Sequence, residues 1–203
     1  MLKNNFIRFT VTLFIICVMA SALLSFVYSQ TKDKIQAQKD LEEQESLKEV
    51  LPDASDFDFI EQDTNSYYIG KDDEGKIIGY VFKTEGKGYA SDIVTMVGVD
   101  VRGVANVIGG IKILSQNETP GLGSKIVEVK QDKTIWSVLL EKESSDKKEV
   151  EPKPWFQEQF QGKRIDQLED VETITGATIS SKAVIDSVKN KAKEILEIIQ
   201  NDR

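Results

Sequence analysis

The sequence predicts an α+β fold, in which one N-terminal membrane helix precedes a domain of curved, mainly antiparallel sheet with flanking helices. Three observations lead to this prediction. Residues 9–28 are uncharged and mostly apolar, and stretches rich in β-branched residues follow one another between polar turns from residue 66 onward. Residues 180–200 then carry apolar side chains at helical spacing.

The first element is the uncharged run from Phe9 to Tyr28, which has about the 20 residues needed to cross a bilayer. Lys3 and Arg8 precede it, so the positive-inside rule places residues 1–8 in the cytoplasm. The sequence therefore predicts a single-pass protein of the cell (inner) membrane, with residues 9–28 as the transmembrane helix. Everything after it is expected to be extracytoplasmic.

A cleaved signal peptide is the competing interpretation of this segment. Ala20-Ser21-Ala22 has the small-residue pattern of a signal peptidase site. The apolar run continues beyond it to Val27, which favours a retained anchor.

Composition excludes several classes of function. The chain has 26 basic and 34 acidic residues, a net charge of −8, and nucleic-acid phosphates would be repelled by such a surface. It has no histidine and one cysteine, Cys17, so Ser-His-Asp catalysis and zinc or iron–sulfur sites built by this chain alone are not expected. No metal site and no catalytic residue is predicted, and any redox chemistry would need an organic cofactor.

A charged segment follows the membrane span. Residues 31–50 are rich in Lys, Glu, Gln and Asp, with apolar residues at loosely helical spacing. This pattern predicts an exposed linker helix over residues 29–52, which ends at Leu51-Pro52 because the residue before proline resists the helical region. The main domain is expected to occupy residues 53–203.

The next elements are strands. Ser66–Ile69 and Ile77–Lys83 flank a polar turn with a glycine, which predicts a hairpin. Further strands are predicted over Ile93–Val101 and Val104–Leu114. Gly109-Gly110 within the last of these indicates a bulge or the close approach of another group.

The last third of the chain is expected to be mainly helix and loop. Lys133–Lys142 fits either a helix or a strand, and the charged, proline-containing stretch Glu141–Pro154 is typical of a surface loop. Trp155–Phe160 predicts a helical turn. Ser180–Gln200 predicts an amphipathic helix, whose apolar stripe comprises Val184, Val188, Ala192, Ile195 and Ile199.

The segment Thr175-Gly176-Ala177-Thr178, followed by Ser180 and Ser181, opens this helix. Small residues allow a ligand to approach the backbone, and hydroxyls supply donors and nucleophilic oxygens. The unpaired N–H groups of a helix start favour a phosphate. The chemistry indicates a phosphate-binding corner, and the alternative is a plain helix N-cap rich in Ser and Thr.

A second candidate is Asn117-Glu118-Thr119-Pro120-Gly121-Leu122-Gly123. Its proline and two glycines predict a rigid, tight turn with room for a flat ligand. The alternative is a loop that only closes a hairpin.

These two segments resemble the two signatures of the FMN-binding domain family. Thr-Gly-Ala-Thr-Ile-Ser-Ser is similar to its flavinylation motif, and Glu-Thr-Pro-Gly-Leu-Gly to its second motif, in the same order. The N-terminal span, the charged helix and the Trp155-Phe156 and Phe160–Lys163 segments extend the resemblance over nearly the whole chain. Within the family, it is nearest to the G subunits of Rnf ion-translocating electron-transport complexes. The C subunits of sodium-pumping NADH:quinone reductases are similar but usually longer.

The resemblance implies a cofactor and an attachment site. In this family the last threonine of the motif, Thr178 here, forms a phosphoester with FMN, which a flavin transferase makes from FAD. Gly176 and Ala177 would let the backbone approach the phosphate, and Thr175, Ser180 and Ser181 would donate hydrogen bonds to it. The other implied FMN contacts are Glu118 and Thr119 at the ribityl or ring edges, Gly121, Leu122 and Gly123 around the ring, and Lys125 at the phosphate.

The resemblance also implies a function and partners. The chain would relay electrons within a membrane-bound ferredoxin:NAD⁺ oxidoreductase that exports Na⁺ or H⁺, beside the complex's other membrane and iron–sulfur or flavin subunits. It would bind no nicotinamide, because no G-x-G-x-x-G motif follows a strand, and it would pump no ion alone, because its single span has no ionisable residue between Phe9 and Tyr28. It would therefore be a redox subunit and not catalytic alone. Three alternatives remain: a subunit of the NADH:quinone reductase type, a stand-alone extracytoplasmic flavoprotein, and a membrane-anchored binding or scaffold domain without flavin.

Overall fold

The computed structural model describes residues 2–62, 65–103, 105–129 and 154–201. It divides into two compact units, Met1–Gln44 and Glu45–Arg203. The segment Lys133–Lys142, expected to be helix or strand, lies outside the described residues, as does all of the expected loop Glu141–Pro154 except its last residue.

One uninterrupted helix, α1, runs from Leu2 to Val50. It includes both the predicted membrane span and most of the predicted linker helix, and it ends directly before Leu51-Pro52, as expected. Large apolar side chains from Phe6 to Tyr28 are exposed all round the helix. This part is long and apolar enough to cross a membrane, and none of its most apolar stretch is buried. By length and composition, this part of the helix therefore suits association with a membrane.

The second unit is built on a five-stranded antiparallel sheet whose strands follow chain order. The strands are β1 (Asp56–Gln62), β2 (Asn65–Lys71), β3 (Ile77–Lys87), β4 (Asp92–Asp100) and β5 (Val107–Ser115). The predicted hairpin is confirmed as β2–β3, and the two later predicted strands are confirmed as β4 and β5. In the turn between β2 and β3, Asp72 accepts the N–H groups of Glu74 and Lys76.

Strand β1 is not among the predicted elements. Its sequence alternates Asp56, Phe57, Asp58 and Phe59, and because aspartate is depleted in strands, the acidic residues mask the period-2 pattern. The strand lies at an edge of the sheet, where charged side chains keep solvent access and discourage pairing with another chain.

The helices of the second unit pack on one face of this sheet. They are α2 (Trp155–Glu158), α3 (Thr178–Asn201) and two 3-10 helices, Gly123–Val127 and Ile165–Asp170. Helix α3 contributes Val184, Val188, Ala192 and Ile195, all fully buried, to the main core with Phe82 and Val97 of the sheet. The predicted amphipathic stripe is therefore confirmed. Trp155 packs against the same core.

The last turn of α1 packs on the opposite face of the sheet. Leu47, Val50 and Leu51 form a second core with residues of β3 and β4. Gly98 leaves room for this turn, because a Cβ there would lie 2.8 Å from the carbonyl carbon of Val50. At Gly110 a Cβ would lie 3.2 Å from the Cα of Val50, so the close approach expected at Gly109-Gly110 is confirmed.

We expect Gly98→Ala to lower the free energy of unfolding by about 1–3 kcal/mol, because the added methyl forces the end of α1 away from β4. Gly103→Ala is the matched control, since its Cβ meets nothing closer than 3.6 Å. Urea unfolding of the full chain in detergent, followed by near-ultraviolet circular dichroism, measures both variants. Equal stability of the two would contradict the close packing of α1 on the sheet.

Candidate cofactor site

Three segments meet at one end of the sheet. Strand β3 ends at Lys87, β4 begins at Asp92 and β5 ends at Ser115. Because neighbouring strands of this sheet are antiparallel, these three strand termini lie at the same end of the sheet. The β3–β4 hairpin loop, residues 88–91, and the turn after β5 are therefore neighbours. The start of α3 joins them, because the helix packs across β3 and β4.

The turn after β5 is built around Pro120 and Gly121. The N–H of Leu122 donates to the carbonyl of Thr119 at 3.1 Å, and Gly121 has a φ of 75°. Proline at the second position and glycine with positive φ at the third are the preferences of a type II turn. The turn leads into the 3-10 helix Gly123–Val127, and it confirms the tight turn expected here.

A similar turn leads into α3. The N–H of Ala177 donates to the carbonyl of Ile174 at 2.9 Å, and Gly176 has a φ of 84°. Ala177 then holds the N-cap position, since its carbonyl accepts the N–H of Ser181. Alanine has no side-chain oxygen to cap a helix, so the plain N-cap alternative does not fit. Helix geometry leaves the first N–H groups of α3, at residues 178–180, without an intrahelical acceptor.

A cavity of about 360 Å³ lies between these segments, within the range of small-molecule sites. Its lining is mainly apolar and comprises Tyr89, Glu118, Thr119, Leu122, Gly123, Gly176, Ala177, Thr178, Ile179 and Ser180. Tyr89 is 74% exposed, Ile179 55% and Leu122 50%. Exposed apolar side chains beside a cavity are the usual mark of a surface that binds a ligand or a partner.

The structure brings most of the predicted site residues together. Eight of them line the cavity, whereas Thr175, Gly121, Lys125 and Ser181 do not. Gly121 acts through the turn it permits. Tyr89 and Ile179 also line the cavity and were not among the predicted site residues.

Glu118 connects all three segments. Its side chain is 5% exposed. Oε1 accepts the backbone N–H groups of Ala90 and Ser91, each at 3.0 Å, and Oε2 accepts the hydroxyl of Ser180 at 2.7 Å. The carboxylate thus holds the hairpin loop, the turn after β5 and the first turn of α3 against one another.

These donors also set the ionisation of the carboxylate. Burial raises the pKa of Glu118, but hydrogen bonds from the Ser180 hydroxyl and from the N–H groups of Ala90, Ser91 and Tyr89 outweigh it. The pKa of Glu118 therefore lies below the ordinary value of 4.5. A carboxylate that is ionised at neutral pH only accepts hydrogen bonds, which suits a group surrounded by donors.

Two glycines make room for this carboxylate. A Cβ at Gly88 would run into Oε1 of Glu118 and lie 2.8 Å from the carbonyl oxygen of Ser91. A Cβ at Gly123 would run into Oε2 and lie 2.8 Å from the hydroxyl oxygen of Ser180. The glycines of both loops are therefore explained by the position of Glu118.

The hydroxyls of Ser180 and Ser181, expected to donate to a phosphate, have protein partners in this structure. Ser180 donates to Glu118, and the fully buried Ser181 accepts the N–H of Ile174 at 3.1 Å. Thr178 is exposed and lines the cavity. The groups left to meet a phosphate are its hydroxyl and the first N–H groups of α3. Within the described part of the chain, no cluster of side chains could hold a metal ion.

Comparison with known proteins finds two family models. The FMN-binding domain matches residues 88–193, which include the whole cavity lining, and the RnfG N-terminal region matches residues 1–50.

Several related proteins match over most of their length. The G subunit of the ion-translocating oxidoreductase complex from Methanosarcina acetivorans is 29% identical over 88% of both chains. The G subunit of the Na⁺-translocating ferredoxin:NAD⁺ oxidoreductase complex from Acetobacterium woodii is 29% identical over 92% of this chain and 87% of that protein. The proton-translocating counterpart from Clostridium ljungdahlii is 29% identical over 95% and 93%. Among solved structures, Shewanella oneidensis NqrC matches with a TM-score of 0.43 and 19% identity, over 68% of this chain and 65% of that chain, which is less than two thirds of its length.

We expect Glu118→Gln to change how the free energy of unfolding depends on pH. Because the pKa of Glu118 is lower in the folded state than its ordinary value of 4.5, the ionised carboxylate stabilises the folded state above pH 4.5. This contribution is lost as the pH falls through the folded-state pKa. The variant should be less stable by about 2 kcal/mol at neutral pH. This difference should narrow in acid. Urea unfolding of the full chain at a series of pH values measures it, and a difference that stays constant with pH would contradict the assignment.

Proposed function

Because this chain belongs to the FMN-binding domain family, we propose that it carries FMN on Thr178 and relays electrons within a membrane-bound, Rnf-type ion-translocating oxidoreductase. One observation carries the proposal. Thr178 lines the cavity at the uncapped start of α3, within the same lining as Tyr89, Leu122 and Ile179.

The start of α3 suits the phosphate end of FMN. Three N–H groups have no helical acceptor there, and the helix dipole favours an anion. Gly176 and Ala177 carry little or no side chain, so the backbone is accessible beside Thr178. In the attachment step, the Thr178 oxygen would bond to the FMN phosphorus of FAD as the pyrophosphate P–O bond breaks, AMP would leave, and the hydroxyl proton would be released to solvent. A flavin transferase is the partner that catalyses this step.

The rim of the cavity suits the ring. Tyr89 and Leu122 offer apolar surface, and an aromatic side chain can stack on a flat heterocycle. A bond through the phosphate leaves the isoalloxazine ring free for redox chemistry. Bound FMN would accept and donate one or two electrons. The protein contributes position and environment. Outside the cytoplasm no pool of FMN refills an empty site, which gives a covalent tether its physical purpose.

The related proteins favour an Rnf-type complex. Three relatives at 29% identity are named as G subunits of ion-translocating, Na⁺-translocating or proton-translocating oxidoreductase complexes. The match of residues 1–50 to the RnfG N-terminal region extends this likeness to the anchor. We place residues 1–8 in the cytoplasm, residues 9–28 in the membrane and residues 53–203 outside, beside the other subunits of the complex. The chain would act as a redox subunit and would pump no ion alone.

We expect Thr178→Ala to abolish covalent flavin. Full-length chain made together with an active flavin transferase should give a fluorescent band on a denaturing gel and an intact mass raised by one attached FMN. The variant should give neither, because it lacks the oxygen that bonds to phosphorus. Thr175→Ala is the matched control, since Thr175 is exposed in the same motif but does not line the cavity.

Two results would count against this site. Flavin retained by Thr178→Ala would move the attachment point elsewhere. Wild-type chain without flavin, beside a transferase that modifies another substrate, would favour the binding or scaffold alternative.

We also expect the native chain to co-purify with the other subunits of an Rnf-type complex after mild detergent extraction. Mass spectrometry of the purified assembly identifies them, and Thr178→Ala should assemble equally well because the substitution leaves the fold unchanged. Co-purification with subunits of an NADH:quinone reductase would support that alternative, and isolation of the flavoprotein alone would support a stand-alone carrier.

A further inference from the structure

The carboxylate of Glu118 lines the cavity, yet both of its oxygens are bonded to protein donors. We propose that Glu118 is a positioning residue for flavin attachment, an inference that rests on the proposed function. It fixes the hairpin loop that carries Tyr89 to the first turn of α3 that carries Thr178. The acceptor hydroxyl and the ring-facing wall of the cavity are thereby held in one arrangement.

The helix geometry explains how Glu118 acts on Thr178. Successive residues of an α-helix are about 100° apart, so side chains two positions apart point in roughly opposite directions. Glu118 holds the Ser180 hydroxyl inward at 2.7 Å, and Ser180 is 1% exposed. The same rotation of the helix leaves Thr178 exposed and beside the cavity.

The hairpin loop is fixed by the other carboxylate oxygen. Oε1 of Glu118 accepts the N–H groups of Ala90 and Ser91, the two residues directly after Tyr89. The loop also closes on itself, since the N–H of Gly88 donates to the carbonyl of Ser91 at 2.9 Å. Because Glu118 holds the backbone of the loop, the side chain of Tyr89 points outward beside the cavity, where Tyr89 is 74% exposed.

Glutamine and alanine at this position separate geometry from charge. In Glu118→Gln, the amide oxygen of the new side chain would still accept the two loop N–H groups, and its NH₂ would donate to the Ser180 hydroxyl oxygen. In Glu118→Ala no acceptor remains, so the N–H groups of Ala90 and Ser91 and the buried hydroxyl of Ser180 all lose their partner. A positioning role therefore predicts rescue by glutamine and none by alanine.

Thr84→Val provides a matched structural control. Thr84 is 5% exposed and donates to the carbonyl of Ser187 at 3.1 Å, so it also joins the sheet to α3. It does not line the cavity of Thr178. Its substitution removes a part-buried hydrogen bond between β3 and α3 and leaves the lining of the cavity unchanged.

The experiment measures FMN attachment to the full-length chain in detergent by a purified flavin transferase with FAD. All variants are assayed at a temperature where near-ultraviolet circular dichroism shows them folded. We expect Glu118→Ala to lower the kcat of the transferase roughly ten- to a hundredfold with little change in its KM for the chain. The reason is that the acceptor oxygen of Thr178 is misplaced rather than removed. Glu118→Gln should recover most of this loss. Thr84→Val should attach FMN at the wild-type rate, and the visible circular dichroism of the attached flavin should weaken only in Glu118→Ala.

Hydrogen–deuterium exchange of the flavin-free chain provides an independent measurement. Glu118→Ala should speed amide exchange both in residues 88–91 and in the first turn of α3, whereas Thr84→Val should leave the loop unchanged. Exchange that speeds in only one of the two segments would overturn the coupling.

Other outcomes are equally decisive. Folded Glu118→Ala that accepts FMN at the wild-type rate would overturn the positioning role, as would a loss in Thr84→Val as large as that in Glu118→Ala. Failure of the proposed function looks different, because wild-type chain would then accept no FMN from a transferase shown to modify another substrate. The exchange measurement would still show whether Glu118 couples the two segments.

Discussion

The candidate site depends on the burial of one carboxylate. A charged group without partners in the protein interior would be strongly unfavourable, and Glu118 is stable there because donors from two other segments converge on it. The dependence is mutual, since the hairpin loop and the first turn of α3 both donate to this same group. Gly88 and Gly123 complete the arrangement by leaving space beside its oxygens. The shape of the cavity thus follows from the hydrogen bonds that the carboxylate of Glu118 accepts.

This arrangement is stable because the sheet beneath it is packed on both faces. Helix α3 covers one face through fully buried residues such as Val184 and Val188, and the last turn of α1 covers the other through Val50. The ion pair between Glu49 and Lys112, at 2.6 Å, adds a link from α1 to β5. Loops at the end of such a sheet are held by rigid elements, which is the usual setting for a precise binding site.

The proposed function makes consistent use of these features. A phosphate bond at Thr178 would place the charged end of FMN at the start of α3, where backbone N–H groups are available. The ring would then lie against Tyr89 and Leu122, on a rim that remains exposed. Exposure of this rim would let electron donors and acceptors approach the ring closely, and a membrane-spanning α1 would keep the domain at the membrane.

The sequence by itself determined the features that depend on neighbouring residues. Local patterns determine three of these features: the uncharged run up to Tyr28, the β2–β3 hairpin and the apolar stripe of α3. They can be identified from the sequence because hydropathy and turn chemistry act over a few residues. The motif around Thr178 and the turn at Glu118 could be recognised for the same reason. The acidic edge strand β1 could not be predicted in this way, because its aspartates mask the strand pattern and strand propensity depends on the surrounding sheet.

Only the tertiary structure decided how these pieces act together. Glu118 and Ser180 are 62 positions apart, and no local pattern reveals that one accepts a hydrogen bond from the other. The same holds for Tyr89, which reaches the cavity only because the loop between β3 and β4 lies at the same end of the sheet as the end of β5. Hydrogen-bond partners and packing between distant segments arise from the relative placement of whole elements. A motif can therefore mark a site, while the direction in which each side chain points is fixed by the fold.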